Sequence, residues 1–316
     1  MTTVRSWGLI TMLLVALAAS GAALAAKAAY LRLSQPQGAT EVSVAAGSSF
    51  TTDKTIGSLE ARLASRPSDV RTYSTLGGAY LQKARETSDP SYYKLAEQAM
   101  DRALAQDPQN IDALVGMGSL ALARHQFREA LQWGERARAL APYSARILGV
   151  IGDAHVELGE YEGATSTFQR MVDLRPDLSS YSRVSYLREL TGDIPGAMDV
   201  MERALAAGSP FAENTNWTRV QIGNLHFNSG DLDGAETLYR AALQYYPGYL
   251  HAQAGMAKVM AARGRYVDAI ALYQQAVEQV PFPGYVIALG DVYAAAGRTD
   301  QAAKMYALVR VQERLY

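Results

Sequence analysis

The sequence predicts an all-α solenoid of about seven helix-turn-helix repeats, and three series of regularly spaced residues indicate it. Alanines at one phase recur every 33 to 38 residues: Ala96, Ala130, Ala164, Ala197, Ala235, Ala269 and Ala302. Prolines recur every 34 to 41 residues: Pro67, Pro108, Pro142, Pro176, Pro210, Pro247 and Pro281. Glycines stand five residues before most of the later alanines: Gly159, Gly192, Gly230, Gly264 and Gly297. A fixed period of this length is typical of stacked structural repeats.

Residues 145–178 show how one repeat is built. Ile147 and Ile151 lie at helical spacing and predict the apolar side of a first helix. Gly159 ends that helix, because glycine readily takes the left-handed conformation of a helix C-terminus. Phe168 lies on the apolar side of a second helix. Two helices of this size cannot bury their apolar sides alone, so each repeat must stack on its neighbours.

The predicted array runs from residue 70 to residue 316. Its repeats are predicted at about 70–110, 111–144, 145–178, 178–209, 216–249, 250–282 and 283–316. Residues 55–69 carry a single amphipathic stretch, which predicts an N-terminal capping helix. The first repeat has a surplus of seven residues around Glu86 to Tyr92, and an extended loop between its helices is the expected consequence. A polar capping helix is missing at the other end, where Val309, Val311 and Leu315 are expected to face a neighbour or a partner.

The chain start predicts export. Residues 1–26 contain Arg5, an uncharged apolar run from Gly8 to Ala26, and Ala23-Leu24-Ala25, which is the layout of a cleaved secretory signal. The run is also close to the length that spans a bilayer, so an uncleaved membrane anchor remains open, as does a helix that is not exported. Residues 27–54 predict a flexible linker, because they contain few large apolar residues. The expected location is extracytoplasmic, either secreted, periplasmic or anchored by a single span.

Composition excludes several classes of function. The chain has no cysteine, which excludes thiol catalysis and cysteine-ligated metals. Its net charge of -1 gives no basic stripe for nucleic acid. Known catalytic and nucleotide-binding motifs are absent from the sequence, and no stretch long enough for a catalytic domain remains outside the repeats. The protein is therefore predicted not to be an enzyme, with no cofactor and no metal. His125 takes the turn place that glycine holds in other repeats, whereas His155 and His226 stand in place of a core aromatic and are expected to be packed, hydrogen-bonded side chains.

The repeats resemble the tetratricopeptide repeat family. The first-helix pattern of that family is seen in Thr75-Leu76-Gly77-Gly78-Ala79-Tyr80, and the second-helix pattern in Asp231-Leu232-Asp233-Gly234-Ala235 with Tyr239 and Ala242. The resemblance covers about Thr55 to Tyr316. It implies a right-handed superhelix whose first helices line a concave groove, and it implies a scaffold that binds other proteins or peptide segments.

Projecting the repeat phase onto this chain gives candidate partner-binding residues on the predicted concave side. They are Arg146, Val150, Asp153, Arg183, Tyr186, Trp217, Gln221, Asn224, Phe227, His251, Lys258 and Asp291. Trp217 precedes the usual core phase, so it is either an exposed binding anchor or packing over the irregular junction around residue 210.

Two functions remain open from the sequence. The first is a non-enzymatic, exported or membrane-tethered scaffold that holds segments of partner proteins in its groove. The alternative is an accessory or regulatory subunit of a larger envelope or enzyme assembly, which docks through its C-terminal helix.

Overall fold

The computed structural model describes residues 52–87, 89–210 and 212–313. These ranges contain helices and no strand. The helices are α1 Thr52–Ser65, α2 Val70–Thr87, α3 Ser91–Gln106, α4 Ile111–Ala123, α5 Phe127–Leu140, α6 Ala145–Glu157, α7 Tyr161–Leu174, α8 Leu178–Leu190, α9 Ile194–Ala207, α10 Glu213–Asn228, α11 Leu232–Tyr245, α12 Leu250–Ala262, α13 Tyr266–Gln279, α14 Pro283–Ala295 and α15 Thr299–Glu313. The prediction of an all-helical array is confirmed: after the single helix α1, seven pairs of helices follow.

The predicted signal or anchor at 1–26 and most of the predicted linker at 27–54 lie outside the described residues. None of the helices within 52–87, 89–210 and 212–313 is long and apolar enough to cross a bilayer.

Turn chemistry sets where the helices begin and end. Five of the turns between first and second helices contain a glycine with positive φ, between 74° and 89°: Gly159, Gly192, Gly230, Gly264 and Gly297. His125 takes this place in the second pair, with φ of 58°. Helix starts are capped by side chains, as where Asp177 Oδ1 accepts from the backbone N–H of Ser180 at 3.0 Å. Such caps satisfy backbone donors that a helix start leaves unpaired.

Packing inside each pair explains the regular alanines and the glycines within first helices. Six of the seven regularly spaced alanines are fully buried, and Ala302 is nearly so. Four residues after its alanine, Phe168 on α7 packs its ring onto α6 at Gly152. A Cβ at Gly152 would lie 2.2 Å from Phe168 Cε1. The ring can therefore be buried only because position 152 has no side chain.

The described chain forms two compact units, residues 52–218 and residues 219–313. In the first unit, the first helices of successive pairs contact one another: α2 contacts α4, α4 contacts α6, and α6 contacts α8. Second helices also contact the following first helix, as α5 contacts α6. In the second unit, one core joins α11 to α15 with the end of α10. We call the side of the first helices that is turned away from the second helices the first-helix face.

Two expectations about the ends of the array are wrong. The surplus in the first pair does not form an extended loop, because α2 has 18 residues and α3 has 16, whereas α4 and α5 have 13 and 14. Val309 does not face a further neighbour or a partner: it is 8% exposed and belongs to the core of the second unit. Val311 is 40% exposed, and Leu315 lies outside the described residues.

Candidate functional site

Arg146 lies at the start of α6 and pairs with the preceding first helix. Its Nη1 is 2.7 Å from Asp112 Oδ1 on α4, and both side chains are more than half exposed. An exposed ion pair of this kind contributes only about 0–1 kcal/mol to stability. Arg146 therefore remains available to a partner at small cost.

Arg183 on α8 forms the most extensive polar contact of the first-helix face in the first unit. Its Nε and Nη2 donate to the two carboxylate oxygens of Asp153 on α6, both at 2.8 Å. Its Nη1 donates to the backbone carbonyl of Ser179 at 2.9 Å. Gly149 makes room for this arrangement, since a Cβ there would lie 3.3 Å from Arg183 Cζ. Because all three guanidinium nitrogens donate within the chain, a ligand anion would have to compete with these contacts.

Tyr186 lies next to Arg183 in an acidic environment. Burial raises the pKa of the Tyr186 hydroxyl, and the carboxylates of Glu157 and Glu189 raise it further. Burial also raises the pKa of Glu157, and the negative charge of Asp153 adds to that rise. The Tyr186 hydroxyl therefore stays protonated at physiological pH and can donate a hydrogen bond.

Trp217 and Val150 are less exposed than is expected of residues that contact a partner. Trp217 on α10 is half-buried, and its neighbours Asn216 and Thr218 are fully buried. Trp217 is therefore neither a fully exposed binding anchor nor a residue of the core. The prediction that Val150 is a contact residue is wrong, because Val150 is 4% exposed and packs in a core cluster with Ile147.

In the second unit, side chains of the first-helix face are held by tyrosine hydroxyls that come from second helices. The hydroxyl of Tyr239 donates to Asn224 Oδ1 at 2.7 Å. The hydroxyl of Tyr306 donates to Asp291 Oδ1 at 2.7 Å. The side-chain amide of Asn224 also lies 3.3 Å from Gln221 Oε1. These bonds fix the orientation of Asn224 and Asp291 before any ligand arrives.

Two further contacts link neighbouring first helices of the second unit. Lys258 Nζ on α12 lies 4.5 Å above the ring of Phe227 on α10. Tyr285 on α14 and His251 Nδ1 on α12 are 2.9 Å apart. A cation over an aromatic ring is stabilising by about 0.5–1 kcal/mol at an exposed site. Phe227 and Lys258 thus form a joint apolar and cationic patch on the first-helix face.

The structure brings together Arg183, Asp153 and Tyr186 in the first unit, and in the second it pairs Gln221 with Asn224 and Phe227 with Lys258. Tyr239 and Tyr306 were not among the predicted site residues, because their phase is that of the core. A sequence pattern could have indicated them. At the core position where the third repeat has Phe168, these two repeats have a tyrosine, and a polar residue, Asn224 or Asp291, stands fifteen residues earlier.

His155 and His226 are hydrogen-bonded, as expected. His155 Nδ1 is 2.6 Å from Glu160, and His226 Nδ1 is 2.7 Å from Asp231. His125 packs edge-on against Phe127. Among the described residues, no group of three histidine, aspartate or glutamate side chains could hold a metal ion.

Comparison with known proteins identifies the repeat. Residues 91–145, 145–178 and 226–289 each match a tetratricopeptide repeat pattern. The chain carries tetratricopeptide repeats. One of these matches coincides with a helix pair, since residues 145–178 cover α6 and α7.

The curated relatives are distant and longer than this chain. The human protein O-mannosyl-transferase TMTC1 is 24% identical over 65% of this chain and 23% of its own length. Anaphase-promoting complex subunit 7 of Arabidopsis thaliana is 25% identical over 61% of this chain and 34% of its own length. The chain thus spans about a quarter to a third of these two relatives.

Solved structures show the same tetratricopeptide fold. The APC/C hetero-tetramer Cut9-Hcn1 has a TM-score of 0.60 at 15% identity and covers 79% of this chain and 46% of its own. Yeast Tom70 has a TM-score of 0.55 at 14% identity, over 90% of this chain and 65% of its own. TTC0263 of Thermus thermophilus has a TM-score of 0.52 at 23% identity, over 64% of this chain and 99% of its own. Likeness at this level of identity concerns the fold alone.

Proposed function

We propose that this protein is a non-enzymatic scaffold that binds segments of partner proteins on its first-helix face, within the concave groove of a tetratricopeptide superhelix. The observation that carries the proposal is the pair of hydroxyl contacts from Tyr239 to Asn224 and from Tyr306 to Asp291. A solvated surface side chain needs no such support. Side chains fixed in advance lose less rotamer freedom when a ligand binds, so affinity improves.

The chemistry of the face favours a polypeptide as the ligand. Asn224 offers an amide, Asp291 a carboxylate, and Lys258 a cation beside the ring of Phe227. Such a mixture matches the alternating amides and side chains of a peptide segment. The near-neutral net charge of the whole chain, -1, favours protein over nucleic acid as a partner.

Co-purification with matched variants tests this proposal. The tagged full chain is used to capture proteins from its own cells, and captured proteins are quantified by mass spectrometry. Asn224→Ala combined with Lys258→Ala should remove at least one captured protein, and Arg183→Ala and Trp217→Ala test the first unit in the same way. Arg203→Ala is the control, because Arg203 is 61% exposed in an ion pair on the second helix α9. If the captured set is the same for all variants, the proposed face is wrong.

The second candidate function is that of an accessory or regulatory subunit that docks through its C-terminal helix α15. Two findings favour it: a relative is named as anaphase-promoting complex subunit 7, and Val311 on α15 is 40% exposed. Truncation after Arg310 should then remove a partner that the Asn224 and Lys258 variant retains. The opposite pattern would favour binding on the first-helix face.

We also propose an extracytoplasmic location, with residues 8–26 as a cleaved signal or a membrane tether. The uncharged run in the sequence supports this proposal. Cell fractionation with a periplasmic or extracellular marker tests it, and N-terminal sequencing of the mature protein separates cleavage from anchoring. A protein found entirely in the cytosolic fraction would contradict export.

A further inference from the structure

Glu86, near the end of α2, carries a carboxyl group of which only one oxygen has hydrogen-bond partners in the part of the chain that the structure describes. Its Oε1 accepts from Thr52 Oγ1 at 2.6 Å and from Gln82 Nε2 at 3.1 Å. Its Oε2 is buried and has no hydrogen-bond partner within the described ranges. A buried charge without compensation is costly, and a carboxyl group commonly avoids that cost by taking up a proton.

A second carboxyl group, from a distant part of the chain, contacts the same glutamine side chain as Glu86. Gln82 Nε2 lies 3.4 Å from Oε2 of Glu213, which is the first residue of α10 and stands 131 residues further along. Glu213 is 7% exposed. One neutral amide thus faces two acidic groups within the first unit, and the negative charge of Glu213 disfavours ionisation of Glu86.

The nearby cations make their ion pairs and hydrogen bonds with groups other than the Glu86 carboxyl group. Lys83 Nζ is 2.6 Å from Asp53 on α1. Arg85 donates to Gln82 Oε1. Burial raises the pKa of Glu86, the hydrogen bonds from Thr52 and Gln82 oppose that rise, and Glu213 adds to it while Lys83 lowers it. The polar and charged groups around Glu86 from α1, α2 and α10 are therefore Thr52, Asp53, Gln82, Lys83, Arg85 and Glu213.

We propose that the contact between α2 and α10 is controlled by a proton on Glu86. With Glu86 protonated, its buried oxygen carries no uncompensated charge and Glu213 can approach. With Glu86 ionised, the two carboxylates repel across Gln82 and the contact loosens. The contact is therefore favoured at low pH and weakened as pH rises, because the closed arrangement binds the additional proton. This inference is independent of any partner on the first-helix face.

Distance measurements on the full chain test the proposal directly. The chain has no cysteine, so Gly78→Cys on α2 and Asn214→Cys on α10 provide the only two attachment sites for spin labels. Both positions are exposed, and a Cβ at Gly78 meets no atom within 4 Å. Pulsed electron paramagnetic resonance should give a short, narrow distance distribution at pH 5 and a shift to longer, broader distances at pH 8.

Glu86→Gln separates the proton from other effects of pH. Glutamine keeps an oxygen for Thr52 and cannot ionise, so the short distribution should persist at both pH values. Glu213→Gln removes the repelling charge and should also reduce the shift, which preserves the test if the first variant misfolds. Glu60→Gln is the control, since Glu60 on α1 accepts from Tyr80 and should leave the shift unchanged. An unchanged distribution between pH 5 and pH 8, or a shift that persists in Glu86→Gln, would overturn the proposal.

Discussion

Replacing His125 with glycine should stabilise the first unit, and the gain should grow as pH falls. His125 holds the turn between α4 and α5 with φ of 58°, whereas five other turns at this phase use glycine. The left-handed conformation costs a side-chain-bearing residue about 1–2 kcal/mol. Glycine avoids that cost but loses about 0.5–1 kcal/mol more backbone entropy on folding. The backbone contribution to His125→Gly is therefore a gain of about 0.5–1 kcal/mol.

The imidazole ring contributes two opposing effects. Its Nε2 is buried without a hydrogen-bond partner among the described residues, which costs about 1–3 kcal/mol. Its edge-on contact with Phe127, with ring centroids 5.4 Å apart, returns about 0.5–1.5 kcal/mol. Loss of the ring is therefore close to neutral or slightly favourable. The total expected gain for His125→Gly at pH 8 is about 1 kcal/mol.

The pH dependence has a definite sign. Burial lowers the pKa of His125 below its ordinary value near 6.5. Between the folded and unfolded pKa values, the unfolded chain binds more protons, so the wild type loses stability as pH falls through that window. His125→Gly removes this loss. The stability difference between variant and wild type should therefore be larger at pH 5 than at pH 8.

Urea unfolding followed by circular dichroism at pH 8 and pH 5 measures both the gain in stability of His125→Gly and its dependence on pH. His125→Ala keeps the positive φ and removes the ring, so the difference between His125→Ala and His125→Gly isolates the backbone cost. Gly159→Ala is the converse control: φ is 76° and a Cβ meets nothing within 4 Å, so it should cost about 1 kcal/mol without a steric contact. The reasoning fails if alanine and glycine at position 125 are equally stable, or if the gain is no larger at pH 5.

Two other substitutions test the packing and the supported face. Gly152→Ala should cost about 1–3 kcal/mol, because its methyl would lie 2.2 Å from a buried ring carbon of Phe168, and a lower urea midpoint with unchanged helicity would show it. Tyr239→Phe should cost about 0.5–1.5 kcal/mol by removing the hydroxyl that bonds Asn224, and the side-chain amide resonances of Asn224 should broaden or shift in nuclear magnetic resonance spectra. Unchanged stability in the first case, or unchanged amide resonances in the second, would contradict the contacts described.

The paired-helix architecture could be predicted from sequence because its cause is local and periodic. Ala164 is small because two helices cross there, and Gly159 is glycine because the turn needs positive φ. Each requirement recurs in nearly every repeat, so spacing alone reveals it. The surplus in the first repeat was misplaced for the same reason: spacing locates extra residues but does not show whether they lengthen a helix or a loop.

Contacts between distant helices could not be predicted, because the sequence does not show which helices approach each other. Asp153 and Arg183 are 30 residues apart, and Gln82 and Glu213 are 131 apart. The separation of 30 residues is close to the length of one repeat, so the stacking of successive repeats could have indicated that contact. The contact across 131 residues depends on how α2 and α10 approach each other within the first unit. No periodic pattern in the sequence encodes that approach.

In three repeats, the hydrogen-bond partner of one side chain on the first-helix face depends on the core residue fifteen positions later. A half-buried polar group needs a hydrogen-bond partner, and the nearest source is the second-helix residue packed behind it. Tyr239 has a hydroxyl and donates it to Asn224, and the seventh pair repeats this solution. Phe168 has no hydroxyl, and Asp153, at the same phase as Asn224, instead pairs with Arg183 of the next first helix. In these three repeats, therefore, a polar residue on this face is held within its own repeat where the core residue is Tyr239 or Tyr306, and by the next repeat where it is Phe168.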